Sequence, residues 1–365
     1  MQPESLKEKV LYRNMQALRG FAALLVCAYH FRISINTDWS EIAFGNGWIG
    51  VQIFFMISGY IMVHTTNKIK DDFKNNSVKF MLNRFIRILP LYYLITFFYI
   101  ADDINDGYLF TQSALVLKSL LFIAPFTSTK GPQYGMPCLE VGWTLNYEML
   151  FYFLFAVSIL FGTRRYWFMY VVFAILLIFI PLFSGSVLSS DYLIFRNYKF
   201  EYLNFMSNPI WIHFVFGVTL GLLLPKIKIN KSFSRYSFYA SILLFLIYYT
   251  GFLNIEYNAI NDLFFCGFLL TSFLLNDLHT EGIILPDSIV KLGNQSFSMY
   301  LLHPLIFSYL HTVFDKIDMH FFTNTIAFFM LAILLTILIS FLFYYFFELK
   351  ITAYLKKIIF GKIWG

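Results

Sequence analysis

From residue 14 to residue 348 the chain is dominated by apolar runs of about twenty residues separated by short polar connections. At 1.5 Å of rise per residue, such a run crosses the roughly 30 Å hydrocarbon layer of a bilayer as a helix. Unpaired backbone N–H and C=O groups are costly in lipid, and a helix satisfies them within one segment. The runs fall at 14–33, 48–66, 82–101, 143–161, 166–184, 209–224, 236–253, 259–276, 294–314 and 323–348. The expected fold class is therefore an all-α polytopic integral membrane protein with about ten transmembrane helices. Composition closes the alternative. With 59% hydrophobic and 13% charged residues, a water-facing surface would carry very large apolar patches.

An eleventh stretch, 111–126, is apolar but short, carries Lys118 and reaches Pro125 near its end. It reads as a re-entrant or interfacial segment. Basic residues decide the point, because cytoplasmic loops collect Lys and Arg. With the N-terminus inside, Arg13, Lys68, Lys74, Arg84, Arg87, Arg164, Arg165, Lys226, Arg235 and Lys357 all lie on the cytoplasmic side. If 111–126 crossed, Arg164, Arg165 and every later basic loop would move outside. The expectation is a multi-pass protein of the cell inner (cytoplasmic) membrane with both termini cytoplasmic. Residues 1–365 read as one membrane-embedded domain, with short tails at 1–13 and 349–365 and an outer segment at 102–142. The net charge of +6 reflects these loops, so the expected surroundings are membrane lipids and not nucleic acid. Cys27, Cys138 and Cys266 have neither disulfide nor metal-site spacing, and no metal is expected.

Ionisable side chains inside spans are costly to bury and point to function. The first span holds two, Arg19 and His30, in QALRGFAALLVCAYHF. Eleven residues make three turns plus about 20°, so the two share a face, about 16 Å apart along the axis. This puts Arg19 in the inner half of the bilayer and His30 near its outer surface. Arg84 and Arg87 are i, i+3 neighbours at the cytoplasmic end of the third span and suit phosphate groups. Glu148, about one and a half turns inside the outer end of the fourth span, lies at nearly the depth of His30. Tyr300 and His303 sit within the ninth span as lining for a substrate channel, with a hydrogen-bonded structural role nearly as well supported.

These features in order resemble the acyltransferase-3 family of membrane enzymes. Arg, ten residues, then His is the family's first-span pattern, carried here by Arg19 and His30. GVQIFFMISGY at 50–60 resembles its second-span signature. Arg84 and Arg87 in RFIRILPLYY match its RxxR. WTLNYEMLFY at 143–152 matches the stretch with Trp-Thr-Leu and a Glu, and SFSMYLLHP at 296–304 its late span with Tyr and His. The chain departs from the pattern at Gln52, where many members carry an acidic residue, so a carboxylate role does not transfer there. No fused esterase-like domain of the kind some relatives carry is expected. The resemblance implies transfer of an acyl group, usually acetyl, from acyl-CoA to a carbohydrate hydroxyl. The acceptor classes it implies are a cell-surface polysaccharide, a lipopolysaccharide O-antigen or a lipid-linked glycan.

The chemistry divides among these residues as follows. Arg84 and Arg87 hold the nucleotide end of acetyl-CoA, the donor co-substrate, whose thiol arm threads past Arg19. His30 acts as general base toward the acceptor hydroxyl, or as the nucleophile of an acyl-enzyme; the sequence leaves both open. Glu148 orients the imidazole or stabilises its cation, and Arg19, with the amide of Gln52, meets the developing oxyanion. Gln52, Trp143, Tyr300 and His303 are the expected substrate contacts. The rival reading is a glycan or lipid transporter or flippase in which intramembrane Arg, His and Glu line a path. It calls for symmetric broken helices, and the sequence has no such pair.

Overall fold

The computed structural model describes residues 12–35, 37–101, 112–278 and 282–364. The expectations for the tail at 1–11 and for 102–111 of the outer segment lie outside these residues. The helices, in chain order, are α1 (Arg13–Phe31), α2 (Asp38–Phe44), α3 (Gly50–Thr66), α4 (Phe73–Ala101), α5 (Ser113–Leu120), α6 (Trp143–Ile159), α7 (Arg165–Ala174), α8 (Tyr202–Met206), α9 (Ile212–Leu223), α10 (Lys231–Tyr249), α11 (Ala259–Asp277), α12 (Asp287–Asn294), α13 (Ser296–Lys316), α14 (Ile326–Phe343) and α15 (Thr352–Trp364). No strand occurs among the described residues. α7 continues through a π-helical stretch, Ile175–Phe179, to Phe183, and a second one, Tyr344–Ile351, joins α14 to α15. The segment expected as a C-terminal tail is thus helical as far as Trp364.

Each of the ten apolar runs holds a helix, and six helical stretches are long and apolar enough to cross a membrane. Those six are Asp38–Thr66, Phe73–Ala101, Gly162–Phe183, Tyr202–Lys226, Ala259–Asp277 and Ile326–Gly361. α1, α6, α10 and α13 are not among them. α6 has only 17 residues, while α1 and α13 carry the polar side chains that make the site. Between α4 and α6, α5 has 8 residues, about 12 Å of helix, far short of the hydrocarbon thickness. Beyond it Phe122 and Phe126 take positive φ, which stops the helix from resuming.

The chain forms two compact units, Met1–Val63 with Phe216–Phe341, and His64–Val215 with Leu342–Gly365. In the first, α1 is surrounded by α11, α12 and α13. Its small residues allow close approach: a Cβ on Gly293 of α12 would lie 1.8 Å from the Gln16 carbonyl oxygen. The carboxylate of Asp277, at the end of α11, accepts from the backbone N–H groups of Asn14 and Met15 at 2.9 and 3.1 Å. It thereby satisfies donors that the start of α1 would otherwise leave unpaired. Arg13 donates to the Leu285 carbonyl at 3.0 Å and to Asp287 at 2.5 Å. α10 and α11 are joined by Tyr248 donating to Asp262 at 2.6 Å and by stacking of Tyr248 on Phe265. Asn258 starts α11 by accepting from Ile260 and Asn261, as its residue type favours. On α14, Met330, Leu334 and Leu338 are all more than half exposed and fall four residues apart, a stripe suited to lipid.

In the second unit α4 packs on α6 and on the C-terminal helix. Ser77 donates to the Ala156 carbonyl at 2.6 Å, and Phe80 stacks on Phe155. Pro90 lies inside α4, an interruption that spans tolerate when neighbours supply partners. The stretch 127–142 is held by Tyr134, whose hydroxyl donates to the Asn204 carbonyl and accepts from Asn208, both at 3.0 Å. Burial raises the Tyr134 hydroxyl to about 12, so it stays protonated and can donate.

Candidate active site

His30 lies one residue before the end of α1, and the helix itself sets its tautomer. Its Nδ1 is 2.9 Å from the carbonyl oxygen of Val26, one turn back. A carbonyl can only accept, so Nδ1 carries a hydrogen, and in the neutral ring the lone pair is then on Nε2. The second neighbour of Nδ1 is Nε2 of His303, at 3.2 Å, with the two rings 4.8 Å apart. Because Nδ1 of His30 is the donor, Nε2 of His303 is the acceptor and the His303 hydrogen resides on its own Nδ1. The two histidines are 273 positions apart in the chain and meet through these two nitrogens.

His303 is fully buried and Tyr300 is 7% exposed. The pair is lined by aromatic rings: Phe31 lies 6.0 Å from His303 and stacks on Phe307, while Tyr300 meets Phe54 of α3 edge-on. Such aromatic packing restrains the His303 imidazole. Pro304 follows His303 within α13.

Arg19 is half-buried and donates to Gln16 at 3.0 Å, one turn toward the start of α1. Gln52 is 2% exposed. Turned so that its nitrogen faces the helix backbone, the Gln52 amide can donate to the carbonyls of Trp48 and Ile49, each at 3.1 Å, which leaves its oxygen as an acceptor.

In the second unit Arg84, Glu148 and Tyr152 come together. Tyr152 donates a short hydrogen bond to Glu148 Oε1. The guanidinium of Arg84 lies over the rings of Tyr152 and Phe80, 5.3 Å from each centroid, a cation–π arrangement. Arg87 follows one turn later and is half-buried. Trp143, at the start of α6, meets Tyr147 edge-on. Tyr152 was not singled out by the sequence reading, yet it is spaced i, i+4 from Glu148 on one helix, a signal that was there to use. The His30–His303 contact had no such local signal. No group of three His, Cys, Asp or Glu that could hold a metal occurs among the described residues, and the three cysteines are buried and free.

Residues 12–345 match the family described as an acyltransferase domain. The exopolysaccharide production protein ExoZ of Rhizobium meliloti is 33% identical over 177 residues, 48% of this chain and 50% of ExoZ. A protein of Bacillus subtilis, YrhL, named provisionally as a peptidoglycan O-acetyltransferase, is 28% identical over 41% of this chain and 24% of its own length. One from Staphylococcus aureus strain COL, SACOL0978, named provisionally as an O-acetyltransferase, is 24% identical over 82% of this chain and 51% of its own length. The chain thus spans about half or less of each of these three relatives. No solved structure matches.

Proposed function

Since the chain belongs to the acyltransferase-3 family, we propose that it is a membrane O-acyltransferase moving acetyl, or another small acyl group, from acyl-CoA to a hydroxyl of a surface polysaccharide, lipopolysaccharide O-antigen or lipid-linked glycan. The observation that supports the reading is the contact of His30 Nδ1 with the Val26 carbonyl, which in the neutral ring makes Nε2 the basic nitrogen. In the direct route Nε2 takes the acceptor's hydroxyl proton as the oxygen attacks the thioester carbon. The C–O bond forms, the C–S bond breaks, and the imidazolium returns the proton to the departing thiolate. In the covalent route the same nitrogen attacks the thioester carbon first, so that the C–N bond forms, the C–S bond breaks and the thiolate leaves; the acceptor oxygen then attacks the acyl carbon, the C–N bond breaks to free the imidazole, and the hydroxyl proton goes to the thiolate.

The remaining roles follow from charge and depth. Arg84 and Arg87 hold the donor's phosphates, and Arg19 meets its carbonyl as negative charge develops. Glu148, held by Tyr152, is assigned to stabilising the His30 cation. Gln52, Trp143, Tyr300 and His303 contact substrate. The protein sits in the inner membrane as one membrane domain of ten spans, with both termini cytoplasmic and no bound metal, and the acceptor approaches from the outer leaflet.

Mass spectrometry of surface glycans tests this in three strains: intact gene, no gene, and His30→Ala at equal expression. An acetyl mass increment lost from both defective strains is the expected outcome. An unchanged acylation pattern with altered glycan export would replace this reading with the transporter.

A further inference from the structure

The helix that follows α14 brings a third cation to the arginine pair of α4. Both α15 and the π-helical stretch before it, Tyr344–Ile351, pack on α4 within the second unit. Stretches of π-helix are uncommon and recur at functional sites. The lysines here differ in what surrounds them. The ammonium of Lys350 lies over the rings of Tyr345 and Phe346, 4.5 and 5.1 Å from their centroids, so two aromatic faces already engage its charge. The ammonium of Lys356, in the second turn of α15, instead feels the positive charges of Arg84 and Arg87. Lys357, one residue on, projects about 100° away round the helix.

Three like charges on two packed helices repel one another, and the arrangement calls for an anion that carries more than one negative charge. Glu148 offers Arg84 one such charge. The hydroxyl of Tyr152 already donates to that carboxylate, and a positive excess remains. Arg84 and Arg87 are half-buried while Lys356 is exposed, so the anion can enter from the Lys356 side.

The three cations differ in reach. Arg84 and Arg87 stand one turn apart on one helix and present planar guanidinium forks, which suits two phosphates joined to each other. The rings of Phe80 and Tyr152 further restrain Arg84. Lys356 comes from a different helix as a point charge on a flexible four-carbon stem, which suits a phosphate standing apart from that pair. Acyl-CoA has this division: a diphosphate in its chain and a separate monoester on the 3′ oxygen of its ribose, the latter with about 1.5–2 negative charges at pH 7.

We propose that Lys356 binds the 3′-phosphate of acyl-CoA, with Arg84 and Arg87 on the diphosphate, and so selects the complete coenzyme over acyl donors that end in a free 3′-hydroxyl. Lys356 touches a part of the donor remote from the thioester, so it sets donor affinity and takes no part in the transfer step. The assignment rests on the acyltransferase reading above.

The test titrates the full chain in nanodiscs with acetyl-CoA and with acetyl-3′-dephospho-CoA by calorimetry. The unaltered protein should prefer acetyl-CoA by about tenfold or more, and Lys356→Ala should erase that preference by weakening acetyl-CoA alone, as loss of a charged hydrogen-bond partner does. Lys356→Arg should keep the preference, and Lys357→Ala should leave both affinities unchanged. The ratio of the two affinities decides, since a variant that merely loosened the fold would weaken both donors alike. Equal affinity of the unaltered protein for the two donors, equal weakening of both by Lys356→Ala, or the same loss from Lys357→Ala overturns the proposal and leaves the acyltransferase reading standing. Binding of neither donor by the unaltered protein would overturn that reading, and this assignment with it.

Discussion

Nδ1 of His30 lies 2.9 Å from the Val26 carbonyl oxygen and 3.2 Å from Nε2 of His303. The Val26 carbonyl, which can only accept, puts a hydrogen on Nδ1 of His30, and the imidazole of α13 packs against that same nitrogen. His30→Ala is expected to lower acyl transfer by about 10²- to 10⁴-fold, the usual worth of a general base. His303→Ala, which leaves the Val26 bond in place, should cost about tenfold or somewhat more, as lost orientation does. Initial-rate kinetics on purified protein would separate the two; equal losses would put His303 in direct contact with the reacting groups.

Tyr152→Phe keeps the ring under Arg84 and removes only the hydroxyl that donates to Glu148. A hydrogen bond to a charged partner contributes about 1.5–3 kcal/mol, so kcat should fall about ten- to a hundredfold. The KM for acyl-CoA should stay near its original value. Arg84→Ala and Arg87→Ala should instead raise that KM, the more so at low salt, because charge screening weakens what they supply. Steady-state titration of acyl-CoA at two ionic strengths reads both effects.

Gly293 admits no side chain. Its Cβ position lies 1.8 Å from the Gln16 carbonyl oxygen, on rigid backbone. Gly293→Val should destabilise the first unit by about 1–3 kcal/mol, as overpacking does. A lowered thermal midpoint in detergent checks it, and an unchanged midpoint would mean that α12 can slide along α1.

Asp287 has its carboxyl held below the ordinary range by the hydrogen bond and charge of Arg13. A carboxyl that is depressed when folded contributes stability above its unfolded pKa and loses it as pH falls through the folded one. The stability gap between the protein and Asp287→Asn should therefore be constant near neutrality and shrink below about pH 4. Because the carboxylate is exposed, the gap should be small and fall with salt. Thermal scans across pH 3 to 7 would follow it.

A topology reporter fused after residue 130 should appear on the outer side of the membrane. A cytoplasmic signal there would overturn the ten-span arrangement and, with it, the proposed approach of the acceptor from the outer leaflet.

The helices are legible in the sequence because apolar runs of membrane length leave the backbone no other economical form. Arg19 and His30 can be placed on one face of α1 for the same reason: helical period is local. Long-range partners are not local. Nothing in the spacing of SFSMYLLHP says that His303 faces His30, or that Asp277 caps α1. Gln52 shows a subtler limit, since its residue type gives both donors and acceptors, and only the structure places the Trp48 and Ile49 carbonyls within reach of its amide. The six stretches that pass as spans by apolarity include neither α1 nor α13, because polar side chains lower the average of the helices that carry the histidine pair.

The capping of α1 by Asp277 also has a consequence in time. α1 is made early, but the carboxylate that satisfies its first N–H groups is synthesised more than 260 residues later, and the imidazole that faces His30 later still. During synthesis the helix must wait in the membrane with its start uncapped. A chain interrupted anywhere before α13 would hold Arg19 and His30 yet lack the imidazole that packs against His30, so the histidine pair exists only once the ninth run has been made.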